Sequence, residues 1–71
     1  MPQFNSQTIR VMRAVLDDVM KRVPSRYATI ATKVYLAECI LKAAAQGETS
    51  YGGLVDAATN QIQEAIKLLF T

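Results

Sequence analysis

The chain has 71 residues, of which 51% are hydrophobic and 20% are charged, and its net charge is +2. This length predicts a single domain over residues 1–71, and the hydrophobic content excludes an intrinsically disordered chain. The small net charge does not require an anionic partner. Because a chain this short buries only about 60% of its unfolded surface, we expect a lone monomer to be marginally stable.

The first predicted helix covers residues 6–22. Asn5 is a suitable N-cap, because its side-chain oxygen can accept a hydrogen bond from a free amide of the first turn. Pro24 ends the helix, since proline disfavours helical geometry at the residue before it. Hydrophobic residues recur at helical spacing between these two signals: Ile9, Met12, Leu16, Val19, Met20 and Val23.

The second predicted helix covers residues 26–46, from a Ser25 N-cap to a glycine at Gly47 that favours helix termination. It is hydrophobic on all sides. One face, predicted to point into the bundle, carries Ile30, Val34, Ala37, Leu41 and Ala44. The opposite face carries Tyr35, Leu36, Cys39 and Ala43. A helix that is apolar all round is normally buried all round, so we expect a second copy of the chain to cover this opposite face.

The third predicted helix covers residues 50–70 and begins at Thr49 or Ser50. Both linkers are short, so successive helices are expected to be antiparallel neighbours. The predicted fold is therefore an all-α, three-helix antiparallel bundle that self-associates through its second helix. Phe70 falls on the polar side of the third helix, and we assign it to the same interface between copies.

Catalytic and metal-binding side chains are sparse in this sequence. It contains no histidine, which removes the usual Ser–His and Cys–His nucleophile pairs and the common zinc ligand sets. Cys39 lies among apolar neighbours, where burial raises a thiol's pKa, so we expect an inert packing residue. We predict no enzyme activity, no catalytic residue, no cofactor and no metal.

Localisation is predicted from the same composition. A single cysteine cannot form an internal disulfide, and no segment at the N-terminus has the pattern of a signal peptide. Lys33, Glu38 and Lys42 interrupt the longest apolar segment, so it is not expected to span a bilayer. We expect a cytoplasmic protein with no membrane partner.

Nucleic-acid binding is the alternative prediction, because helix-turn-helix domains are of this size. The second and third helices are joined by a short turn that contains a glycine, and the basic residues available for phosphate contacts are Arg10, Arg13, Arg26 and Lys33. The third helix, however, carries Asp56 and Glu64 beside its amides, which is unfavourable for a recognition helix. This alternative is therefore less favoured.

The run ILKAAAQGE, followed by Leu54, Ala57 and Ala58, resembles a pattern in small uncharacterised bacterial helical proteins. In these proteins an Ile-Leu pair, an Ala-rich turn and a Gly-Glu break precede a last amphipathic helix. The resemblance covers Ile30 to Ile66 and implies an all-helical fold, with no activity attached to it.

The function predicted from these observations is a small non-enzymatic protein-interaction module that acts as a homo-oligomer. A dimer is favoured, and an additional protein partner is left open. The predicted interface consists of Tyr35, Leu36, Cys39, Ala43 and Phe70. The alternative is a small helix-turn-helix-like regulator that binds nucleic acid.

Overall fold

A computed structural model describes residues 4–70 of the chain. Its elements are α1 (Ser6–Arg22), a 3-10 turn (Ser25–Tyr27), α2 (Ile30–Ala45), α3 (Tyr51–Thr59) and α4 (Ile62–Phe70). No residue from 4 to 70 is in a β-strand. The all-α prediction is confirmed, although the last predicted helix is divided into two.

Helix α1 has the predicted bounds. The Asn5 side chain accepts a hydrogen bond from the amide of Thr8 at 2.7 Å, which satisfies one of the free donors of the first turn. Val23, the residue before Pro24, has an extended backbone conformation and terminates the helix.

Helix α2 begins four residues later than predicted. Residues Ser25–Tyr27 form a 3-10 turn, and the N-cap is Thr29, whose hydroxyl accepts from the amide of Thr32 at 3.2 Å. The same hydroxyl lies 3.2 Å from the hydroxyl of Thr32, which is completely buried. A cap at Thr29 therefore also gives the buried Thr32 hydroxyl a hydrogen-bond partner. A cap at Ser25 would not provide this partner.

The end of α2 at Gly47 is confirmed. Gly47 has a φ of 104°, a left-handed conformation that favours glycine. Its amide donates to the carbonyl of Ala44, and the amide of Glu48 donates to the carbonyl of Ala43, both at 3.0 Å. This pair of hydrogen bonds is the Schellman motif, which satisfies carbonyls at the end of the helix.

The start of α3 is organised by Glu48 and Ser50. The Ser50 hydroxyl accepts from the amide of Gly53 at 3.1 Å, and the Glu48 carboxylate accepts from the amide and hydroxyl of Ser50. The hydroxyl and amide of Ser50 lower the pKa of Glu48. A Cβ added at Gly53 would collide with the Glu48 carboxyl group, whereas one added at Gly52 would meet open space.

Alanine substitution of these two neighbouring glycines is expected to give different results. Gly52→Ala should raise the free energy of unfolding by about 0.5–1 kcal/mol, because alanine lowers the entropy of the unfolded chain and fits a helix. Gly53→Ala should raise the free energy of unfolding little, because the Glu48 carboxylate must give up its hydrogen bonds to Ser50 to make room for the new methyl group. Thermal melts of the two variants test this, and equal stabilisation would contradict the proposed constraint at Gly53.

The three-helix prediction is confirmed, but the third helix is interrupted at Asn60 and Gln61, so it consists of the two segments α3 and α4. The amide of Gln61 donates to the carbonyl of Ala58 at 2.9 Å, a tighter turn than the α-helix makes. Asparagine and the preceding Thr59 both have modest helix propensity, which makes this a favourable place for a break. Helix α3 packs against α1 and α2, whereas α4 packs mainly against α2.

The core is formed by hydrophobic side chains from all four helices, most of them valine, isoleucine or alanine. Its buried hydrophobic members are Val15, Val19, Val23, Leu36, Ile40, Ala44, Leu54, Val55, Ala58, Ile62 and Ala65. The start of α1 lies beside the second half of α2, and the end of α1 lies beside the start of α2, so these two helices run antiparallel.

A polar contact joins the start of α3 to α1. The hydroxyl of Tyr51 donates to the carboxylate of Asp18 at 3.0 Å, and this hydrogen bond raises the pKa of Tyr51. Arg22 lies 3.9 Å from the same carboxylate oxygen of Asp18, one helical turn away. Because these side chains are exposed to solvent, the contact orients the two helices more than it stabilises them.

The predicted orientation of α2 was wrong. Leu36, expected on an outer face, is 0% exposed and lies in the core of its own chain. Leu41, expected to point inward, is 45% exposed. A helix that is apolar on every side carries no periodic signal that distinguishes inside from outside, so only the neighbouring helices decide which face they cover.

Candidate interaction surface

The predicted interface residues of α2 lie against the chain's own helices. Tyr35, Cys39 and Ala43 are half-buried and line a groove of about 360 Å³ beside Ala57 and Gln61. Tyr35 and Ala43 pack on the core that contains Leu36. These side chains are therefore only partly covered by the chain itself. Burial raises the pKa of the Cys39 thiol, which keeps the thiol in its unreactive protonated form.

Phe70, the remaining predicted interface residue, contacts an aromatic ring of its own chain. Its ring lies 5.0 Å from that of Tyr27 in an edge-to-face arrangement. The guanidinium of Arg26 lies over the same Tyr27 ring, 4.9 Å from its centroid. Phe70 remains 40% exposed, so this contact covers only part of it. The contact places the end of α4 next to the start of α2.

The outer face of α2 is apolar and uncovered. We define the α2 stripe as Ile30, Val34, Ala37 and Leu41, which are spaced four, three and four residues apart. Ile30 is 83% exposed and Val34 is 55% exposed, while Ala37 is half-buried. At this spacing the side chains fall on one side of the helix and form a continuous row.

An apolar groove adjoins the α2 stripe between α1 and α2. It has a volume of about 310 Å³. Its lining is formed by Phe4, Ile9, Met12, Arg13, Leu16, Ala37, Ile40 and Leu41. Ile9 is an exposed hydrophobic residue like its neighbour Leu41, and Arg13 is the single charged residue of this lining. The stripe and the groove share Ala37 and Leu41, so they form one surface.

The other end of the boundary between α1 and α2 is charged. A second groove there, of about 470 Å³, is lined by Asp17, Met20, Lys21, Ala28, Thr29, Ile30 and Lys33. The surface thus changes from apolar near Leu41 to mixed and mainly basic near Lys33. A contiguous apolar surface bordered by charged residues is typical of a protein contact.

The basic residues considered for nucleic-acid contacts are distributed over three elements. Arg10 and Arg13 lie on α1, Arg26 lies in the 3-10 turn, and Lys33 lies on α2. All four are exposed. Arg13 and Lys33 line different grooves, so they do not converge on one site.

Residues 4–70 contain neither a metal-binding cluster nor a helix suited to span a membrane. No group of three or more His, Cys, Asp or Glu side chains in this range could hold a metal ion. None of its helices combines the length and apolar character needed to cross a membrane.

Comparison with known proteins adds no assignment. No protein-family model matches the chain. No similar protein is found among curated proteins, and no similar fold is found among solved structures. The resemblance to small bacterial helical proteins therefore stays a prediction, and the exposed α2 stripe carries the functional argument.

The sequence contained a signal for this surface, but the surface was predicted to point into the bundle. The spacing of Ile30, Val34, Ala37 and Leu41 was recognised as one face. The spacing alone does not give the positions of α3 and α4. These helices cover the opposite side of α2 and leave the α2 stripe open. Ile9, which belongs to the hydrophobic repeat predicted for α1, is also exposed.

Proposed function

We propose that this protein is a small non-enzymatic protein-interaction module that acts in the cytoplasm as a homo-oligomer. The observation that supports this most strongly is the exposure of the α2 stripe beside an apolar groove. Each large apolar side chain that becomes fully buried contributes about 1.5–3 kcal/mol, so covering this surface would stabilise a chain of marginal stability. The proposed contact surface is therefore the Val34 side of α2, whereas the sequence predicted the Leu36 side.

A dimer is the favoured assembly. In a two-fold dimer each copy presents the same surface to the other, so one apolar stripe on one face is sufficient to form a closed complex. Side chains of the second copy can pack into the apolar groove next to the stripe. A nucleic-acid regulator, the alternative, gains no support from the separated positions of Arg13 and Lys33.

The molar mass in solution tests this proposal. We expect light scattering to give twice the mass of one chain at high concentration, falling towards the monomer mass on dilution. Because dimer formation stabilises the folded state by mass action, the melting temperature should also rise with protein concentration. A monomeric mass and an unchanged melting temperature across the concentration series would refute self-association.

A further inference from the structure

We infer that two copies pair through α2 in parallel, with Lys33 of each copy facing Glu38 of the other. This inference rests on the proposed self-association and adds its geometry. The two helices would lie side by side with the same direction, related by a two-fold axis along their length.

The spacing of the α2 stripe is the first support. Val34 and Leu41 are seven residues apart, as are Ile30 and Ala37, and the two pairs alternate at intervals of four and three. This is the hydrophobic repeat of a two-stranded coiled coil, in which such residues form the contact between helices. All four belong to the outer side of α2, and three of them are exposed.

Charge complementarity is the second support, and it favours a parallel over an antiparallel arrangement of the two α2 helices. At 100° per residue, Lys33 and Glu38 lie about 70° to either side of the centre of the stripe. Both are exposed. In a parallel pair the Lys33 side of one helix faces the Glu38 side of the other, so opposite charges meet. In an antiparallel pair equal sides face each other, and no such complementary contact forms.

The surroundings of these two residues agree with this direction. Lys33 lies on the α1 side of α2, in the groove that also contains Lys21 and Asp17. Arg13 borders the neighbouring groove at the height of Ala37 and Leu41. Glu38 lies on the opposite side of α2, in the groove that also contains Lys42 and Gln61. A parallel pair brings Glu38 of the partner copy to the α1 side, where Lys33 is the nearest cation in the coiled-coil spacing.

Disulfide trapping distinguishes the two directions. The background is Cys39→Ser, which removes the native thiol. Two separate variants in this background, Ile30→Cys and Leu41→Cys, each carry one thiol. The two positions lie about 16 Å apart along the helix. Both sites are exposed, so the variants should keep a helical circular dichroism spectrum. Ala14→Cys, exposed on α1, is the matched control for random collisions.

In a parallel pair equal positions lie opposite each other, close enough for a disulfide. We therefore expect both Ile30→Cys and Leu41→Cys to form dimers linked to themselves under mild oxidation, while Ala14→Cys does not. In an antiparallel pair at most one of these positions can lie at the two-fold axis. Self-linking at only one or neither position, with a dimeric mass for Cys39→Ser, would overturn the parallel arrangement and leave the proposed function intact. A monomeric mass for both wild type and Cys39→Ser would overturn both.

Charge exchange gives a second readout without cysteines. Lys33→Glu and Glu38→Lys should each raise the dissociation constant several-fold, because each places like charges opposite one another in a parallel pair. The double variant restores opposite charges, so its dissociation constant should return to the wild-type value. Failure of the double variant to recover would overturn the Lys33–Glu38 contact.

Discussion

Leu36→Ala is expected to lower the free energy of unfolding by about 3–5 kcal/mol, which is a large part of the total stability of a small domain. Leu36 is completely enclosed by its own chain, so truncation removes buried hydrocarbon and leaves a cavity. Many of the other buried residues of this core are valine or alanine, whose short side chains cannot reach far into the cavity. Urea unfolding followed by circular dichroism measures the change.

Leu41→Ala is the matched control, because it makes the same chemical change on the same helix. Leu41 is 45% exposed, so the truncation should cost only about 1 kcal/mol in the monomer. The stabilities of the two variants should be compared at a protein concentration low enough for the wild type to be monomeric, because Leu41 also lies on the proposed contact surface. A larger loss for Leu41→Ala than for Leu36→Ala would mean that α2 is rotated relative to the orientation described here.

The parts of the fold that were predictable depend on local chemistry. The bounds of α1 follow from Asn5 and Pro24, and the end of α2 follows from Gly47, because each signal acts on backbone groups within one or two turns. The all-helical class follows from the same kind of evidence. None of these conclusions requires knowledge of how the helices pack.

The parts that were not predictable depend on tertiary contacts. Ser25 and Thr29 are both suitable N-caps, and the choice of Thr29 depends on the burial of Thr32. The break at Asn60 occurs within a pattern that continues at helical spacing from Leu54 to Leu69. For this reason the periodicity alone does not reveal it.

The candidate surface illustrates the same limit. The sequence indicated that α2 has two apolar faces and that its own chain covers only one of them. It did not indicate which, because Leu36 and Val34 are equivalent in hydrophobic character and differ only in which neighbours they meet. Self-association stays a prediction after this correction, and the residues expected to mediate it change.

Val34→Glu is expected to convert the dimer into a folded monomer. Val34 is 55% exposed and lies at the centre of the α2 stripe, so in the monomer the new carboxylate can remain in water. In the dimer the two-fold axis would place two such carboxylates against each other in an apolar contact. Removing an unpaired charge from water costs several kcal/mol per ion, and about 4 kcal/mol alone raises a dissociation constant roughly a thousandfold.

The control for this variant is Ala14→Glu, which adds the same charge at an exposed position of α1 outside the stripe and groove. It should keep the dimeric mass, whereas Val34→Glu should give the mass of one chain with an unchanged helical spectrum. Leu36→Glu should behave differently from both, because a charge inside the core unfolds the chain instead of dissociating it. If Val34→Glu kept the dimeric mass, the contact would have to lie elsewhere, and the 40% exposed Phe70 would be the next residue to substitute.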